Sequence, residues 1–119
     1  ASARRFADHY RSYVQTHAQE FDILEADIEN IFIASDWYNR AKVWTGVIDI
    51  VGAIDDCLRV RGYWSDAVHY GQLAVKAAYQ LYKSRPDDLP RGLDLVRFQS
   101  SLAATYALQG KYREAERFL

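Results

Sequence analysis

Apolar residues recur at steps of three and four along almost the whole chain, and that period constrains the fold more than any other feature. Trp64, Ala67, Val68, Gly71, Ala74, Val75, Ala78, Leu81 and Tyr82 form the cleanest stripe, with the spacing of one face of an α-helix. His69, Gln72, Lys76, Gln80 and Lys83 fill the rest of that helix. Phe6, Tyr10, Tyr13, Val14 and His17 predict a first helix near 3–19. Leu24, Ile28, Ile31, Phe32 and Ser35 predict a second near 22–39, with Asp22 as its cap and Glu25 three residues on. A third, near 41–61, is apolar on more than one side through Val43, Trp44, Val47, Ile48, Ile50, Val51, Ile54 and Leu58, as expected of a helix packed between neighbours. Arg59 and Arg61 favour its carboxyl end and Gly62 its stop.

Both prolines fall in Ser84–Pro90, so the fourth helix ends before Pro86. A fifth helix is expected over 93–109, stopped by Gly110, and a sixth from Tyr112. No period-2 strand and no Asn-Gly or Asp-Gly hairpin signal interrupts this pattern. Six helices joined by short turns must pack as antiparallel neighbours. The expectation is an all-α fold of stacked helix pairs, an α-solenoid, with a closed six-helix bundle as the alternative.

The 119 residues suit one domain spanning 1–119, and 50% hydrophobic content suits a real core. Net charge is −1, which argues against a dedicated nucleic-acid or membrane-surface domain. One cysteine, Cys57, excludes an internal disulfide and a cysteine-rich zinc module. It fits a reducing, cytoplasmic setting. No apolar run reaches the length of a membrane span. Methionine is absent even at position 1, and Leu119 falls inside a helical pattern. The chain therefore reads as a piece of a longer protein.

Gly62-Tyr63-Trp64-Ser65-Asp66-Ala67 matches Gly110-Lys111-Tyr112-Arg113-Glu114-Ala115. In each, glycine ends a helix, an aromatic plugs the corner, and a small alanine lets the next helix approach. With its lead-in Leu102–Gln109, the second copy resembles the tetratricopeptide repeat. The first copy is looser, with Asp55 where a small residue is usual and Leu58 where tyrosine is usual. The glycines are 48 residues apart, against about 34 in the family. Leu24-Glu25-Ala26-Asp27-Ile28-Glu29-Asn30-Ile31, followed by Ala34 and Trp37, resembles the helix that opens the tetratricopeptide-like sensor region of STAND-type signalling ATPases and related regulators. That resemblance implies a regulatory arm normally downstream of an ATPase module.

No phosphate-cradling glycine loop is present, and no cofactor is expected. Asp66-Ala67-Val68-His69 is the only approach to a bundle di-metal motif, and His9 and His17 lie about 12 Å apart along a helix. No metal is expected. Cys57 lacks a flanking catalytic motif and reads as buried and inert. Residues 20–36 hold six acids and no base, a solvated face or a docking surface for a basic partner or for Arg4, Arg5 and Arg11. Catalysis by Glu25 and Glu29 ranks below that docking, so the chain is not expected to be an enzyme.

The tetratricopeptide resemblance implies that the first helix of each pair lines a groove where partners bind. Carried onto this chain, the groove positions are Asp49, Asp56 and Arg59 on the third helix and Arg97, Ser100 and Ser101 on the fifth. The expected function is protein–protein interaction or regulation, with a protein, a peptide or another domain of the parent as partner, and with self-association through uncapped solenoid ends. The alternative is a small-molecule sensor whose groove is lined by Tyr10, Tyr13, Trp44 and Tyr106. Ordinary solvated side chains would account equally well for the six polar positions.

Overall fold

The computed structural model describes residues 2–117, except the side chains of 114, 115 and 117. It is all-α: α1 (Ser2–Thr16), α2 (Phe21–Ala26), α3 (Ile28–Arg40), α4 (Trp44–Val60), α5 (Trp64–Ser84) and α6 (Leu89–Arg117). Each helix follows from its buried stripe. Ala7, Tyr10 and Val14 turn α1 inward, and Ile31, Ala34, Ser35 and Tyr38 do the same for α3. α4 buries Val47, Ile48, Ile50, Val51, Ile54, Cys57 and Leu58, and α1, α2, α3, α5 and α6 all pack against it. The breadth of its apolar surface is thereby explained. α1, α3 and α4 form one three-helix group; α4, α5 and α6 form another that shares α4. The outline is 50 × 35 × 23 Å, with a radius of gyration of 14.9 Å. A rounder domain of this length would have about 13.5 Å.

The six helices are not divided as the sequence predicts. The expected helix over 22–39 breaks at Asp27, whose φ and ψ are −117° and 17°. Asp27 accepts a bond from the Asn30 side chain at 3.2 Å, the local bonding that lets aspartate compete with a helical backbone. The break swings α2 against the end of α4. There Arg61 reaches Asp22 at 2.9 Å and Glu25 at 2.6 Å, and Tyr63 Oη donates to Glu25 at 2.9 Å. Leu24, at the head of the STAND-like pattern, is fully buried by this turn.

The second correction concerns Gly110. No helix ends there; α6 runs through it as one 29-residue helix, so the expected fifth and sixth helices are one. Gly110 has no positive φ, and a Cβ on it would meet nothing within 4 Å. A glycine inside a helix costs about 1 kcal/mol, too little to break a helix whose next turn is held by Tyr112, stacked edge-on against Trp64 at 5.5 Å. Gly62, in the matching motif, does stop its helix, at φ +83°. Tyr63 N–H bonds Leu58 O at 2.8 Å and Gly62 N–H bonds Arg59 O at 3.4 Å, the paired bonds of a Schellman cap. Ala115, given the close-approach role in the second motif, lies outside the described side chains.

α3 ends by the same device. Val43 N–H bonds Tyr38 O at 2.9 Å and Lys42 N–H bonds Asn39 O at 3.2 Å, but here the left-handed position, φ 58°, holds Lys42. α4 accordingly begins at Trp44 rather than near 41. No helix of the described residues is long and apolar enough to cross a membrane.

Candidate binding cleft

α1, α4 and α6 leave a cleft of about 340 Å³ between them. Ile48, Asp49, Gly52 and Ala53 form its α4 wall, at helical steps of one face. Arg91, Asp94 and Arg97 project from α6 at steps of three, and Gln15 and Ala18 close the α1 side. Asp49 and Arg97, expected in the groove, are therefore brought to one cleft.

Their surroundings differ. Asp49 is pinned: Arg11 reaches its Oδ2 through Nε at 2.8 Å and through a terminal nitrogen at 2.6 Å. Partial burial works against the Arg11 cation, but the bond and charge of Asp49, with help from Tyr38, raise its pKa above the ordinary arginine value. Arg97 lies over the Phe98 ring at 5.0 Å and donates to Gly52 O at 2.9 Å. It has no carboxylate partner among the described residues. A Cβ at position 52 would stand 3.2 Å from the Arg97 guanidinium, so the glycine lets that cation reach the α4 backbone. Arg91 and Asp94 approach each other at 3.7 Å.

The other four predicted positions lie outside the cleft. Arg59 is spent within its own helix, bonding Asp55 at 2.7 Å and Asp56 at 2.6 Å. Burial works against its cation; the two acids more than compensate, and its pKa rises. Asp55 is 6% exposed, so Arg59 neutralises a buried acid rather than reading a partner. Asp56 is solvent-facing, as is Ser100. Ser101 offers its carbonyl to Thr105 Oγ1 at 3.1 Å. Gln15, Gly52, Arg91 and Asp94 were missed. A glycine inside an otherwise apolar helix is the signal that could have found the wall, and the three-residue step from Arg91 to Arg97 could have found the rim.

The other sequence-derived candidates do not assemble. Tyr10 and Tyr13 pack on each other at 5.5 Å, Trp44 carries Lys76 over its ring at 5.4 Å, and Tyr106 Oη accepts from Gln72 at 3.0 Å. Tyr10 and Tyr13 thus share one contact, while Trp44 and Tyr106 each pack with α5. The acids of 20–36 do not meet the arginines of α1 as expected: Arg4 approaches Asp8 and Arg11 holds Asp49, while Asp22 and Glu25 hold Arg61. The hydrogen bond that Arg61 donates to Asp22 leads the effects that raise the Arg61 pKa. Cys57 is fully buried with its thiol toward Phe21 O at 3.9 Å, and burial pushes that thiol up. Among the described residues no three His, Cys, Asp or Glu side chains are grouped to hold a metal.

No protein-family model, no curated protein and no solved structure matches this chain.

Proposed function

We propose that this chain is a non-enzymatic interaction module, a tetratricopeptide-like stack of helix pairs whose α1–α4–α6 cleft receives a segment of a partner protein or of another domain of its own parent. The observation that carries this reading is the juxtaposition of Asp49 and Arg97 across one cleft lined by α1, α4 and α6. A pinned acid and a cation without a carboxylate partner, set on rigid helices above the small residues Gly52 and Ala53, suit recognition of an extended chain. The Leu24–Trp37 pattern extends the reading to the sensor arm of a STAND-type regulator working in the cytoplasm. The exposed Leu89, Leu93 and Val96 of α6 support self-association as a further property of such a stack.

The test is to select peptides against the whole chain by display, then fill the cleft with Ala53→Trp. Selected peptides should lose at least about tenfold in affinity, equivalent to about 1.4 kcal/mol, with the melting temperature unchanged. Peptides that bind the filled variant equally well would refute the cleft as the site. Turnover of any substrate abolished by Glu25→Gln or Glu29→Gln would refute the non-enzymatic reading.

A further inference from the structure

A second surface, on α1 and α3, takes no part in that cleft. Ala3, Phe6, Ile33 and Trp37 line an apolar hollow of about 310 Å³, with Asn30 and Arg40 completing its wall. Ile33 is 53% exposed and Phe6 36%, an unusual outlay of large apolar side chains for one small hollow. Ile33, Trp37 and Arg40 follow one another at helical steps of four and three and make a ridge on α3; Phe6 faces it from α1. Trp37 is held in place, edge-on to Tyr38 at 5.4 Å and beneath the Arg4 guanidinium at 5.9 Å. Asn30 donates to Tyr10 Oη and to Asp27, both at 3.2 Å, which fixes its amide and leaves its Oδ1 as an acceptor.

The charges around the hollow are unbalanced. Arg40, in its wall, and Arg4, over Trp37, are both exposed. The ion pair of Arg4 is a long one, to Asp8 at 3.7 Å, and Arg40 has no ion-pair partner among the described residues. Glu29, one turn before Ile33, is the acid at the opposite end of the α3 ridge.

We infer that this hollow receives an amphipathic helix of a partner protein, with its apolar ridge on Phe6, Ile33 and Trp37 and its acidic flank against Arg4 and Arg40. The groove between two packed helices is the shape that a third helix fills. The apolar side chains line a concave hollow with Arg40 in its wall, which fits a ridge better than it fits a flat lipid surface. Arg40 in the wall and Arg4 over Trp37 fix the sign of the flank.

The experiment uses two labelled model helices, alike except in their flanks: leucines at every third and fourth position, with glutamates between them in one and lysines in the other. Fluorescence anisotropy at low salt should show the glutamate helix bound about tenfold more tightly, the sum of a few exposed charge pairs. Arg40→Glu should erase most of that preference, and Ile33→Glu should weaken the glutamate helix by at least about tenfold. Both positions are solvent-exposed, and unchanged thermal melts confirm that the fold persists. Failure of both peptides to bind, equal binding of the two, or a preference untouched by Arg40→Glu overturns the inference. So does sedimentation of a dimer that Ile33→Glu dissociates, because the hollow would then be covered by a second copy. Ile33-dependent binding to phosphatidylserine vesicles tighter than binding to the glutamate helix overturns it in favour of a membrane.

Discussion

Replacing Gly110 with alanine tests the most consequential disagreement between the repeat motif and the structure. Two geometries are in play, and they predict opposite signs. In the helix–turn–helix of a tetratricopeptide repeat, Gly110 would end a helix in the left-handed region, where a Cβ costs about 1–2 kcal/mol. In the structure it sits inside α6 without positive φ and with open space around the missing Cβ. No packing term then opposes the substitution, and the intrinsic helix preference of alanine over glycine, about 1 kcal/mol, is left to act alone. Gly110→Ala should therefore raise the midpoint of urea unfolding by about 1 kcal/mol divided by the slope m, with m itself unchanged. The thermal midpoint should rise by about 4 °C. Gly62→Ala is the matched control, because Gly62 has the same motif and open space but φ +83°; it should lose about 1 kcal/mol. Opposite shifts from two glycines in one motif can arise only if their backbones differ. If Gly110→Ala instead destabilises the chain as Gly62→Ala does, or shifts nothing, α6 is not continuous through position 110 and the reasoning fails.

Other perturbations follow from single positions. Gly46→Ala places a Cβ 2.5 Å from the Tyr38 ring, which is fully buried and tied through its hydroxyl to Asp8; overpacking there should cost about 1–3 kcal/mol in urea unfolding. Lys42→Gly relieves a side chain at φ 58° and should gain about 0.5–1 kcal/mol, after the extra chain entropy of glycine is set against the relieved strain. Burial, and then the Asp8 carboxylate, pushes the Tyr38 phenol up to about 12. A group that stays neutral more firmly in the folded state stabilises it fully below the unfolded phenol value, near 10, and loses that contribution as pH climbs from there through about 12. Unfolding free energy should decline gently from about pH 8.5, where the raised Cys57 thiol begins to lose its contribution, and fall more steeply above about pH 10. The fall should be shallower in Tyr38→Phe, where only other tyrosines, Tyr70 among them, retain a raised phenol.

The helices were legible wherever a buried stripe alone decides them. α5 forms over the expected span and buries Ala67, Gly71, Ala74 and Ala78 of its stripe, with Tyr70 and Ala77 beside them and Tyr82 left exposed, and the double-sided surface of α4 announced a helix with neighbours on several sides. What escaped were boundaries settled by partners far away in sequence. The period through Leu24, Ile28 and Ile31 is continuous, and nothing local says that Asp27 must break it. The break is favoured because Arg61 and Tyr63, more than thirty residues on, gather Asp22 and Glu25. Gly62 and Gly110 open the same motif, yet one chain turns and the other does not. The difference lies in the caps at Leu58 and Arg59 and in the contact of Tyr112 with Trp64, none of which a motif records. Lys42 marks the converse case: a corner as sharp as that at Gly62, with no glycine to advertise it.

The cleft divides along the same physical line. Groove positions can be assigned by helix face, and Asp49 and Arg97 do line one cleft, because α4 and α6 pack against each other there. Arg59 satisfies the helix-face rule equally well on paper. It fails because Asp55, buried on the same helix, needs a counter-charge, and a buried acid left unpaired would cost more than any exposed contact Arg59 could make. A charged side chain is free to meet a partner only after the interior's own charges have been neutralised. In α4 the interior takes Arg59 first. In α1 and α3 it takes Arg11 through Asp49 but leaves Arg5 and Arg40 unclaimed, and Arg4 with a single long contact to Asp8. Of the described cations lining the two surfaces, those left without a carboxylate partner are therefore Arg97 in the cleft and Arg40 beside the hollow of Phe6, Ile33 and Trp37, and a reading by groove position finds the first and passes over the second.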